Sequence, residues 1–217
     1  EVGELRRSEA EYKRIALKYG DDTQGLIQDS LRDLAKDCEL NNGDRACRTD
    51  TRISVYCHDR ERGRFIPIAR ISGDPEFEKS GRSYYPDDQG IICKAWRNEI
   101  FSYQFDLEPE MALSLAKQHD KTVAEITELI WLDDQVNEFN VPEEVALEFS
   151  MKSKSIVAWR IEYLHTKIGV VVIESTDKGV ADGALKAKVG SSSHFPPLQR
   201  ALFRFNESHI RNVASNA

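Results

Sequence analysis

The residues best suited to covalent chemistry are four cysteines, Cys38, Cys47, Cys57 and Cys93. A thiol acts as a nucleophile only as thiolate, and disulfide or sulfoxide chemistry usually needs a resolving partner. Cys93 stands in PDDQGIICKAWRNEIF, residues 86–101, between an acidic turn and a tryptophan. That stretch reads as a cap followed by a short helix from about Gly90 to Arg97. Asp87 or Asp88 is placed to cap it, and Ile91, Ile92, Ala95 and Trp96 form its buried side. Cys93 is then a half-buried helix residue, unpaired and poorly reactive, as Cys57 is expected to be. No CxxC pair occurs, so the thiols read as reduced groups of a cytoplasmic protein, or of the soluble part of a membrane-anchored one. Cys38 and Cys47 flank ELNNGDRA and are the one pair whose spacing allows a bridge.

Cys57-His58-Asp59 has the composition of a metal or nucleophile cluster. Adjacent strand residues point to opposite faces, so Cys57 and His58 cannot share an ion. The five histidines show neither HExxH nor paired ligand spacing. Asp133-Asp134 suits a solvated turn better than a Mg²⁺ site. GDPEFEKSGRS (73–83) lacks the order of a phosphate-wrapping loop, and GSSSH (190–194) is not a nucleophile elbow. No catalytic set and no metal site is expected.

Aromatic and basic residues are the better material. Tyr56, Arg70, Tyr84, Tyr85, Tyr103, Trp131, Trp159 and Arg160 fall in strands and loops able to surround a ligand. Aromatic faces stack planar molecules, and arginine pairs with carboxylate or phosphate. Trp96, Trp131 and Trp159 also suit a core.

Those residues need a scaffold. Residues 3–19 read as a charged helix with a narrow apolar stripe, ended by Gly20. DDTQ caps a second helix, with Leu26, Ile27, Leu31, Leu34, Ala35 and Cys38 on one face. TRISVYCHD alternates and is β-rich, RERG is a hairpin loop, and RFIPIARISG returns. Pro67 cannot donate to a ladder, which makes the second strand an edge. NEIFSYQF is a short strand. Residues 108–135 are helical with a break near His119-Asp120, and PEEVALEFS is a further short helix. KSIVAWRIEYLHTKIGVVVIEST is a second hairpin with its tip at His165-Thr166-Lys167. DKGVADGALKAKVGSSSHF is loop or weakly formed. A helix from about Pro197 to Val213 closes the chain, with Leu198, Ala201, Leu202, Phe205, His209 and Val213 in its stripe.

With 40% hydrophobic and 31% charged residues, the chain can bury a core. A net charge of −7 and the lack of a basic stripe argue against nucleic acid as a partner. No apolar run approaches a membrane span. The chain opens on Glu1, and an effector or membrane segment outside it is an expected partner.

This order of elements resembles the GAF domain family. RISVYCHDRERGRFIPIARISGDP is similar to the family's first hairpin, YYPDDQGIICKAWRNEIF to its P-x-x-x-G-I-x-G-x-A-W helix start, and KSKSIVAWRIEYLHTKIGVVVIEST to its last hairpin. The likeness covers about residues 20–213, and it implies a GAF-like domain over 21–217 after an N-terminal signalling or linker helix over 1–20. Cys93 stands where the family often has a second glycine, Arg160 replaces a proline, and 104–150 has no counterpart. The resemblance implies an α+β, GAF-like (PAS-like) fold. A five- or six-stranded antiparallel sheet carries the N- and C-terminal helices on one face and a helix and loop layer on the other.

It also implies a non-catalytic sensor or regulatory domain, signalling through its terminal helices and forming a two-fold homodimer through them. A nucleotide or other small planar molecule is the implied ligand class, although NEFNVPEE (137–144) is no match to the cyclic-nucleotide signature. One branch of the family reduces free methionine sulfoxide. Its G-V-C-G turn has Ile92 in the cysteine slot here, and its second cysteine has no counterpart. A ligand-free dimerisation module is the third reading.

Overall fold

Alternating β-branched and aromatic residues put two hairpins at the centre of the fold. The computed structural model describes residues 22–43, 45–79, 81–180 and 182–214, with side chains as far as residue 207. The expected helix at 3–19 and the side chains of His209 and Val213 lie outside the described residues. Helix α1 spans 22–37. Then come β1 (Thr51–Asp59), β2 (Arg64–Ser72), α2 (Pro75–Glu78), β3 (Tyr85–Pro86), α3 (Gly90–Asn98) and β4 (Ile100–Gln104). Helices α4 (Pro109–Gln118) and α5 (Val123–Asp133) follow, and α5 runs into a π-helical turn, Asp134–Glu138. The chain ends with α6 (Glu143–Leu147), β5 (Ser155–Tyr163), β6 (Thr166–Ser175), α7 (Gly183–Ser191) and α8 (Phe195–Ala214).

The six strands form one sheet in the order β3-β2-β1-β6-β5-β4, and each neighbouring pair is antiparallel. Central strand β1 is covered on both faces. Ile53, Val55 and Cys57 face α1, α7 and α8, where Leu31, Leu34, Val189, Leu198 and Leu202 complete one core. On the other face Tyr56, Ile156, Val170 and Val172 pack against Ile91 and Ile92 of α3 and Trp131 of α5. This is the α+β arrangement that the resemblance to GAF domains implies, a six-stranded antiparallel sheet between the terminal helices and a helix and loop layer. Among the described residues no helix is long and apolar enough to cross a membrane.

Pro67 has an edge position within a strand that is second in order. β3 pairs only with Arg64 and Phe65, so β2 is outermost from Ile66 onward. Tyr56 faces Pro67 while Val55 faces Ala69, which leaves Ile68 as an extra bulge residue. Gln24 of α1 donates to the Ile68 carbonyl at 2.9 Å.

Several expectations need correction. Neither Asp87 nor Asp88 caps α3: Gln89 holds the N-cap position without a side-chain bond. The helix start is fixed instead by Gly90, at φ +72°, whose N–H reaches the Phe139 carbonyl at 2.7 Å. Trp96 is only half-buried. Cys38 and Cys47, read as reduced thiols whose spacing would also allow a bridge, are buried and unbridged. Leu26 is exposed, unlike the rest of its predicted stripe. The second hairpin turns at Leu164-His165, one residue early. The stretch read as loop or weakly formed contains a nine-residue helix, α7, capped by Asp182, whose side chain accepts from the Leu185 N–H at 2.8 Å. Small residues and lysines give α7 no apolar stripe, so periodicity cannot reveal it.

Candidate ligand-binding site

The sheet face opposite the terminal helices carries a cavity of about 470 Å³, a size that suits a small-molecule site. Its floor comes from alternate residues of the strands: Arg52 and Tyr56 of β1, Arg70 of β2, Ile156 of β5, Val172 and Glu174 of β6. Its roof comes from the segment between α2 and α3, the start of α3, the π-helical turn and α6. Ile91, Ile92, Val141 and Val145 give that roof an apolar lining.

Two buried charges meet on the floor. Arg52 and Glu174 are paired residues of β1 and β6, with Nε 2.8 Å from Oε1. Ser153 donates to the other Glu174 oxygen at 2.7 Å, and Arg52 Nη1 reaches Ser150 Oγ at 3.5 Å. A buried charge requires such pairing. Burial pushes the Glu174 carboxyl up, but the Arg52 charge and the bonds from Arg52 and Ser153 outweigh it and hold it below the ordinary range.

Among the described residues Arg70 bonds neutral partners: Nε on Ser54 Oγ (3.1 Å), Nη1 on the Lys79 carbonyl (2.7 Å) and Nη2 on Tyr56 Oη (3.5 Å). Tyr56 stays protonated, its phenol pushed to about 12 by burial and then by Tyr85. The Tyr85 ring meets Tyr56 edge-on at 5.2 Å. Arg82 lies between the rings of Tyr85 and Phe149, 4.7 and 5.5 Å from their centroids. Gln135 is 5% exposed, lines the cavity, and has a buried amide nitrogen without a hydrogen-bond partner. It sits in the π-helical turn, a distortion often found at functional positions.

Of the eight residues singled out from the sequence, Tyr56, Arg70 and Tyr85 line this cavity. The other five do not. Tyr84 is exposed, with Arg64 over its ring at 5.1 Å. Tyr103 donates to Asp134 at 2.6 Å and packs edge-on against Phe139. Trp131 is buried, its indole N–H on the Ser153 carbonyl at 3.1 Å. Trp159 belongs to the core under the terminal helices. Arg160 bonds Glu162 at 2.6 Å and the Trp96 carbonyl at 3.1 Å. Sequence reasoning missed Arg52, Glu174, Arg82 and Gln135. For the first two a signal existed, because strand alternation places Arg52 on the same face as Tyr56.

The nucleophile and metal candidates separate. Cys57 enters the helix-side core, while His58 lies on the other face, stacked on Trp96 at 4.4 Å with Nε2 3.3 Å from Asp87. Burial, and then Asp59, pushes the Cys57 thiol to about 12. Burial also raises that of Cys93. Asp133 accepts from Asn137 and Asp134 from Tyr103. Among the described residues no three His, Cys, Asp or Glu side chains cluster as metal ligands.

No family model matches the chain, and no curated protein matches it. Among solved structures it is similar to the GAF domain of an Acinetobacter phosphoenolpyruvate-protein phosphotransferase, at 12% identity over 93% of this chain and 98% of that one, TM-score 0.47. It is similar to residues 122 to 287 of a methyl-accepting chemotaxis protein, at 15% identity over 88% and 96%, TM-score 0.49. It is also similar to a type II free methionine-R-sulfoxide reductase from Thermoplasma acidophilum, at 12% identity over 84% and 95%, TM-score 0.47.

Proposed function

We propose that this chain is a non-catalytic regulatory domain that takes a small molecule into the cavity and reports its presence through the helices on the opposite face. The observation that carries this reading is the cavity itself. Its floor holds a buried ion pair, and its lining includes arginines and an amide whose donors are not taken up by carboxylates. Such convergence of a few polar groups on an apolar pocket is the ordinary form of a ligand site.

A route for the signal exists in β1 and β6. Arg52, Tyr56 and Glu174 face the cavity, while Ile53, Val55, Val171 and Ile173 face α1 and α8. A shift of either strand on ligand binding therefore moves the surface on which those helices rest. The receiver in this proposal is a second copy joined through the terminal helices in a two-fold dimer, or an effector beyond the chain. Four free, buried thiols suit a reducing compartment. The buried Cys93 thiol argues against reductase chemistry, and a Cys93→Ser protein should respond to oxidants as the parent does.

Native mass spectrometry of the purified protein, joined to hydrogen exchange on α8, tests the reading. The expected result is a stoichiometric small-molecule adduct whose removal changes exchange in α8. A protein free of adduct and unchanged in exchange across a metabolite panel would leave the dimerisation role alone.

A further inference from the structure

Charge in the cavity is not balanced. Arg52, Arg70, Lys79 and Arg82 line it, as do Glu76, Glu148 and Glu174. Arg52 pairs with Glu174 at 2.8 Å, and Lys79 pairs with Glu76 at 2.6 Å. That leaves Arg70 and Arg82 against Glu148, which is exposed. Arg70 is held on its serine, tyrosine and carbonyl acceptors, and Arg82 between its two rings. Both guanidinium groups are thus positioned before any anion arrives.

Two further features have the same polarity. The start of α3, at Gln89, Gly90, Ile91 and Ile92, lines the cavity, and no side chain caps it. A helix N-terminus carries partial positive charge and orphan N–H groups, of which that of Gly90 is already taken by the Phe139 carbonyl. The buried Gln135 amide adds an unused donor. A donor-rich site with an excess of one positive charge selects an acceptor-rich monoanion. A phosphate monoester dianion brings one negative charge too many, and a cation finds only the exposed Glu148, with two arginines lining the same cavity.

On the reading of the cavity as a small-molecule site, we infer that its ligand is a monocarboxylate with an apolar body and a second oxygen acceptor. The carboxylate engages Arg70 and Arg82, and the carbonyl or hydroxyl oxygen takes the Gln135 N–H. The body rests on Ile91, Ile156 and Val172.

The test is thermal shift and titration calorimetry with phenylpyruvate, 4-methyl-2-oxopentanoate, phenylacetate, phenylacetamide, phenethylamine and phenyl phosphate, beside native mass spectrometry of the purified protein. The oxo acids should raise the melting temperature, with phenylacetate weaker and the amide and amine silent. Arg70→Gln and Arg82→Gln should each weaken the oxo acids at least tenfold, as loss of a charge-assisted bond does. Arg204→Gln, on α8, should change nothing. Gln135→Leu should abolish the preference for phenylpyruvate over phenylacetate. Arg82 is half-exposed on a loop, so its variant keeps the question open to refutation should Arg70→Gln fail to fold. Binding of the amide or amine as tight as that of the acids, or arginine variants without effect, overturns the inference, as does binding of phenyl phosphate alone. If no probe binds, a co-purified carboxylic acid supports the inference. A neutral or cationic adduct overturns it while leaving the small-molecule reading intact, and no adduct at all overturns both.

Discussion

Arg52 and Glu174 face each other across the β1–β6 ladder, 2.8 Å apart and each about nine-tenths buried, in the middle of the sheet. Removing one partner strands the other charge, which costs about 3–5 kcal/mol. Glu174→Gln should lose about that much stability in urea unfolding. Replacing both, as Arg52→Met with Glu174→Leu, should recover most of it, because apolar substitutes for a buried pair are often neutral or better. A double variant as unstable as the single one would mean that Ser150 and Ser153 depend on the pair for their placement.

Acid should expose the same pair. The folded pKa of Glu174 lies below its unfolded value of about 4.3, so its contribution is complete above that value and is lost as pH falls through the folded pKa. Asp59 acts with the same sign: burial raises its pKa, but bonds from Arg64 and Arg62 prevail and lower it. Urea midpoints measured downward from pH 6 should hold and then fall below about pH 4. The Arg52→Met, Glu174→Leu protein should fall less steeply.

The four thiols should resist labelling in the native state. Burial is the largest cause of the rise in each, to about 11 for Cys38 and about 12 for Cys47 and Cys57, and upward for Cys93. At pH 8 a thiol with a pKa of 12 is thiolate in about one part in ten thousand. Reaction with an aromatic disulfide reagent should therefore be slow and limited by opening of the fold, and rapid at all four sites in denaturant. Fast, stoichiometric labelling of Cys93 alone would revive the reductase alternative.

The β5–β6 turn can be improved. Leu164 and His165 both have positive φ, 49° and 61°, which a two-residue hairpin of this kind requires and which Asn-Gly supplies without strain. Leu164 is 73% exposed and gives up little packing when replaced. Leu164→Asn with His165→Gly should raise stability by about 1–2 kcal/mol, seen as a higher melting temperature.

How far the sequence revealed this molecule depends on which signal each part uses. Strands β1, β2, β5 and β6 were legible because alternation and β-branching act locally. Tyr56, Arg70 and Tyr85 were legible as cavity residues from their aromatic or basic side chains, a criterion that also picked five residues lying elsewhere. Trp159 was read both as a ligand candidate and as core, and its neighbours decide for core: it shares a face with Val157 and Ile161 under the terminal helices. Arg52 and Glu174 were missed although alternation puts them on the cavity face, because a charge on a strand reads as solvent-facing until its partner across the ladder is known. Gln135 left no trace, since a π-helical turn has no periodicity of its own. Asp87 had the right chemistry for a cap, but its carboxylate lies near His58 instead.

The bulge at Ile68 beside Pro67 has a consequence for self-association. An open strand edge is a template on which another chain can continue the sheet, the first step towards fibrous aggregates. Along β2 that template is broken: Pro67 lacks an N–H, the bulge puts the next residues out of step, and Gln24 occupies the Ile68 carbonyl. At the far side the outermost strand is β4, only five residues long. Among the described residues neither margin offers an incoming strand a long, regular ladder, so crowding at high concentration should give the sheets of neighbouring copies little means of joining.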